Sequence, residues 1–121
     1  MIEAREIFLA ESPLRNLVRE RDQVHFEQSV YALARKVDPR YRGGDWGFYE
    51  ISDMVFMAPK SLAQFQVLHS GRLISVTPIA FGLNVTLETL RSLTVIDKFD
   101  YLSRFRDGIK RIVCAHPEYQ I

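Results

Sequence analysis

Between Val37 and Trp46 the hydrophobic period of the chain changes, and few folds accommodate the change. Before it, Phe26, Val30, Leu33, Ala34 and Val37 recur at offsets of four, seven, eight and eleven, which is one face of a helix from about Asp22 to Val37. Asp38-Pro39 ends that helix, because a residue before proline is pushed out of helical angles. After it, "DWGFYEI" and "MVFMA" are dense in aromatic and aliphatic residues with no helical spacing. They read as two antiparallel strands joined near Ser52-Asp53.

The same reading extends outward. "QFQVLHS" alternates Phe65, Val67 and His69 with Gln64, Gln66 and Leu68, a half-buried strand, and Ser70-Gly71 turns it into "RLISV". Ser12-Pro13 reads as a helix cap followed by proline at the first helical position, with Leu14, Leu17 and Val18 at helical spacing. Thr77-Pro78 repeats the device, opening a helix that buries Ile79, Leu83, Leu87 and Leu90. Asp97 caps a last helix striped with Phe99, Leu102, Phe105, Ile109, Ile112 and Val113, and His116-Pro117 stops it. The expected fold is α+β: a single domain over residues 1–121, with a meander of three to four antiparallel strands flanked by about four helices. Residues 1–11 are expected to be a loosely ordered N-terminal segment.

Composition excludes several functions. Sixteen basic and fifteen acidic residues give a net charge of +1, neither the basic excess of a nucleic-acid binder nor the acidic excess of a DNA mimic. No apolar run approaches the ~20 residues of a membrane helix. Acidic Glu3 and Glu6 precede the short apolar patch at the start, unlike a secretory signal. One cysteine, Cys114, forms no internal disulfide and fits a reducing cytoplasm.

No catalytic constellation emerges. Gly43-Gly44 lacks the lysine and following helix of a phosphate loop and reads as a turn with positive backbone angles. Trp46, Phe48 and Tyr49 beside Arg40 and Arg42 could stack bases, but without basic excess they read as core of a small sheet. Alternation puts Trp46 and Phe48 on one face and Tyr49 on the other. His25, His69 and His116 have no partner at metal-ligand spacing. Ser70 sits in no nucleophile elbow. Cys114 reads as a packed or half-exposed thiol. Asp45, Glu50 and Asp53 could serve acid–base chemistry, but charged hairpin edges explain them equally. No cofactor is expected.

Residues 41–59, "YRGGDWGFYEISDMVFMAP", resemble the hallmark segment of the ArdB/KlcA antirestriction family. The family's Tyr-x-Gly-Gly-x-Trp-x-Phe-Tyr run is matched at Tyr41, Gly43, Gly44, Trp46, Phe48 and Tyr49. Its Phe-Tyr-Met-Ala-Pro run is matched, one residue shorter, at Phe56, Met57, Ala58 and Pro59. Ser75 in "GRLISVTP" and the closing "HPE" resemble further family segments. Three positions depart. The second glycine pair is replaced around Asp53, Met54 and Val55, so that turn is built differently. Thr77 stands where the family has an aspartate, and can cap a helix but carries no charge. A family asparagine in the next helix has only Asn84 nearby.

The resemblance implies a cytoplasmic counter-defence protein of plasmids or phages that blocks host type I restriction–modification. It implies protein–protein contact rather than catalysis or DNA mimicry, with no strong DNA binding and no membrane. A CRISPR complex as target, or a small enzymatic or nucleic-acid-binding domain on the same fold, are the alternatives. Motif residues are expected in the core, leaving Arg40, Arg42, Asp45 and Glu50 around them as candidate partner contacts. Oligomeric state is not legible in the sequence.

Overall fold

The computed structural model describes residues 4–7, 14 and 17–120. In chain order its elements are β1 (Arg5–Ile7), α1 (Glu20–Val37), β2 (Trp46–Ile51), β3 (Met54–Pro59), β4 (Phe65–His69), β5 (Arg72–Val76), α2 (Pro78–Leu93), a 3-10 helix (Asp97–Leu102), α3 (Ser103–Ala115) and a last 3-10 turn (Pro117–Tyr119). The class is α+β, as the period change predicts. The strands divide into two antiparallel sheets, β1-β2-β3 and β4-β5, rather than one meander. The expected cap at Ser12-Pro13 lies outside the described residues. Leu17 and Val18 form a turn on the Leu14 carbonyl (2.9 and 2.7 Å).

The 18-residue α1 carries Glu20 and Asp22 in its first turn and Arg35 and Lys36 in its last, which complements its macrodipole. Its buried face is Asp22, Phe26, Val30 and Ala34. The Asp22 carboxylate is not stranded there: it accepts from the Tyr101 hydroxyl at 2.7 Å, the contact that holds its carboxyl below the usual range. Two-residue turns close both hairpins. Ser52 and Asp53 have φ of 48° and 67°, and Ser70 and Gly71 have 50° and 77°, the left-handed pair that matches strand twist in a primed turn. The first is built without glycine, where the resemblance suggested a different turn.

The hub is α2, buried almost all round from Ala80 to Leu93 and packed on α1, α3 and both sheets. It crosses β3 at Gly82, where an added Cβ would lie 2.3 Å from Ala58 Cβ and 2.4 Å from the Met57 carbonyl oxygen. One turn on, Thr86 Oγ1 accepts from Met57 N–H (3.3 Å) and donates to the Met57 carbonyl (3.4 Å). The helix thus supplies a partner for Met57 on the outer edge of β3. The stripe expected in one final helix begins as a 3-10 helix: buried Phe99, Leu102 and Phe105 are spaced by three, and Phe105, Ile109 and Val113 by four.

Candidate functional site

The loop from Asp38 to Asp45 folds against the segment from Pro59 to Phe65, and the two enclose a cleft of about 450 Å³. Its organiser is Asp38, only 2% exposed. One carboxylate oxygen accepts Arg40 N–H at 2.9 Å and Arg40 Nε–H at 3.2 Å. The other accepts Arg40 Nη2–H at 3.1 Å and Gln66 N–H at 2.9 Å. Burial works to raise this carboxyl, but those hydrogen bonds and the guanidinium charge outweigh it and hold it below the usual range. The helix terminator read from Asp38-Pro39 therefore also ties α1 to the edge of β4.

Buried Tyr41 lines the cleft, and half-buried Trp46 packs behind it. Trp46 Nε1–H donates to the Tyr41 hydroxyl at 2.6 Å, and their rings meet edge-on at 5.9 Å. Trp46 also contacts Tyr31 and Phe81, and Phe81 stacks on Phe65 at 4.2 Å. These rings are spent on the core and on one another, which leaves no open stacking platform around Trp46. Tyr49, on the other face, stacks on its cross-strand partner Phe56.

Gly43 and Gly44 are exposed at φ of 98° and 125°, with nothing within 4 Å of a built Cβ. Their role is backbone conformation, not space. They let the chain leave Arg42, whose Nη1–H donates to the Pro39 carbonyl at 2.7 Å, and enter β2 through Asp45. The Asp45 carbonyl accepts Lys60 N–H at 2.8 Å, and Lys60 Nζ lies 3.1 Å from Glu6 Oε1 across buried Gly47.

Of the expected contact residues, Arg40, Arg42 and Asp45 share this cleft with Tyr41, both glycines and Pro59. Glu50 does not: it lies farther along β2, ion-paired with Arg5 of β1. Phe56, Met57 and Ala58 are buried in β3, Phe48 is half-buried, and Ser75 is exposed on β5. Asp45 and Asp53 stand at opposite ends of β2, so the hairpin carboxylates do not converge. Sequence reasoning missed Asp38 as the organiser, and Lys60. A carboxylate two residues before an arginine at a helix end was the available signal for Asp38.

The three histidines are individually engaged. His25 meets Phe99 edge-on, His69 Nε2 is 3.0 Å from the Tyr119 carbonyl oxygen, and His116 Nδ1 accepts Glu118 N–H at 3.2 Å. Among the described residues no group of His, Cys, Asp and Glu side chains is placed to hold a metal, and no helix is long and apolar enough to cross a membrane.

No family model and no curated protein matches the chain. A solved structure does. It is described as showing that the KlcA and ArdB proteins have a novel fold and antirestriction activity against type I DNA restriction systems in vivo but not in vitro. It superposes over 98% of this chain and 89% of its own, with a TM-score of 0.81 and 24% identity. The chain has the KlcA/ArdB fold.

Within this KlcA/ArdB fold the closing "HPE" has a mechanical role. Glu118 accepts Thr77 N–H at 2.8 Å through one carboxylate oxygen and the Thr77 hydroxyl at 2.5 Å through the other. The Thr77 oxygen in turn accepts Ala80 N–H. A negative charge therefore does sit at the N-terminus of α2, delivered by Glu118 rather than by residue 77. Tyr119 is buried beside it and donates to the Ala80 carbonyl, and burial pushes its phenol far above the usual range.

Proposed function

We propose that this chain is an antirestriction protein of a mobile genetic element, acting in the host cytoplasm as one unit over residues 1–121. The observation that carries the proposal is the near-complete superposition on an antirestriction protein fold, with the hallmark run at 41–59 occupying the core and one cleft. The mode is protein–protein contact with the host type I restriction complex or a step of its action. The net charge of +1 argues against DNA mimicry, and the scattered carboxylates and engaged histidines argue against catalysis. Activity of the KlcA and ArdB proteins in vivo but not in vitro supports a requirement for the cellular setting.

The contact residues in this proposal are Arg42 and Asp45, which reach solvent at the cleft mouth without anchoring the fold as Arg40 does. Expressed in a host with type I restriction, the chain should raise plating of unmodified phage above an empty vector. The Arg42→Glu/Asp45→Lys variant should keep its melting temperature and lose at least tenfold of that protection. No protection across several type I systems would sink the proposal. Full protection by the variant would move the contact elsewhere.

A further inference from the structure

The geometry of β5 points to self-association: we propose that two copies of this chain pair antiparallel along their β5 edges. In a two-residue hairpin the residues flanking the turn, His69 and Arg72, form a hydrogen-bonded pair, and pairs alternate from there. Leu68–Leu73 and Gln66–Ser75 are then the wide pairs, whose N–H and C=O groups face away from the partner strand. Two contacts fix this phase: Gln66 N–H reaches out to Asp38, and Thr77 N–H, two residues beyond Ser75, reaches out to Glu118.

The other strand edges are each interrupted or short. Thr86 bonds both backbone groups of Met57 on β3, Asp38 takes the Gln66 N–H on β4, and β1 is three residues long and carries ion-paired Arg5 and Glu6. On β5, no described residue outside the β4 ladder bonds the backbone of Leu73 or Ser75. The face beside them carries an exposed apolar cross-strand pair, Leu68 and Leu73, 69% and 64% exposed, next to Gln66 and Ser75.

A second copy fits this edge better than an arbitrary strand because the edge is complementary to itself. The outward-facing residues, Leu73 and Ser75, are symmetric about Ile74. A two-fold axis at Ile74 sets Leu73 opposite Ser75 of the other copy, so each bonds the other through both backbone groups. The leucine pairs of the two copies then adjoin. Charge agrees: Arg72, with no ion pair among the described residues, begins the strand, and the Glu118 carboxylate sits at its end. Antiparallel pairing brings each Arg72 toward the other copy's Glu118 and keeps the two arginines apart. A net charge of +1 does not oppose the association.

Sedimentation of the full chain should show one-chain mass rising toward two between roughly 10 μM and 1 mM, as for a small interface. Leu73→Lys, exposed and harmless to folding, and Ser75→Pro, which removes an outward N–H but no ladder bond, should each raise the dissociation constant at least tenfold. In the dimer the Leu73 and Ser75 amides should exchange more slowly while Ile74, already in the ladder, is unchanged. A chain that stays monomeric at 1 mM overturns the proposal, and means that any strand taken by this edge is foreign. A dimer indifferent to both substitutions, or one with unchanged Leu73 and Ser75 exchange, overturns it too. None of these results depends on antirestriction activity.

Discussion

At the scale of single residues, Asp38 shows how a polar side chain becomes indispensable by being surrounded. Its carboxylate is buried, yet two backbone N–H groups and the Arg40 guanidinium satisfy it, so charge and burial coexist. Because the folded-state pKa is depressed, the stabilisation is fully present above the unfolded value of ~3.9 and is lost as pH falls through the folded value. Asp38→Asn should therefore cost about 2 kcal/mol near pH 6, the worth of hydrogen bonds to a charged group. Urea unfolding from pH 6 to pH 2.5 should show that difference shrinking as the wild type protonates. A difference that stays constant across this range would mean that the charge contributes nothing.

At the scale of elements, helix–sheet contact is decided by one missing atom. Alanine at position 82 would gain roughly 1 kcal/mol of helix propensity in an exposed helix. Here its Cβ would meet the Ala58 Cβ and Met57 backbone of β3 inside contact distance, and backbone cannot yield as a flexible side chain does. Gly82→Ala should therefore destabilise by about 1–3 kcal/mol despite the better helix former. A thermal melt at or above wild type would show that α2 can lift off β3 without loss. This closeness was invisible in the sequence, where Gly82 looks like a blemish in a helical stripe. Local signals were readable: the four-residue spacing of Phe26, Val30 and Ala34 made α1, and Ser70-Gly71 made a hairpin. The division into two sheets was not readable, because it depends on where α2 lies. Nor was β1, whose three residues pair with strand positions more than forty residues away. The cleft was half legible: the glycines and Arg42 stood out, while Asp38 looked only like a helix stop.

At the scale of the whole molecule, the chain is closed by its last described turns. Thr77 and Glu118, 41 residues apart, join the start of the central helix to the segment after α3, and Tyr119 seals the joint from inside. Threonine at position 77 offers Glu118 a hydroxyl donor and still caps α2. The joint should behave as one unit rather than two contacts. Glu118→Ala leaves the helix start without its anion, and Thr77→Ala leaves the carboxylate without its hydroxyl donor. The double variant should cost less than the sum of the singles, with a coupling of about 1 kcal/mol. Denaturant titration of the four proteins measures it directly. Additive losses would show that the two ends hold independently, and that Thr77 matters only as a local cap.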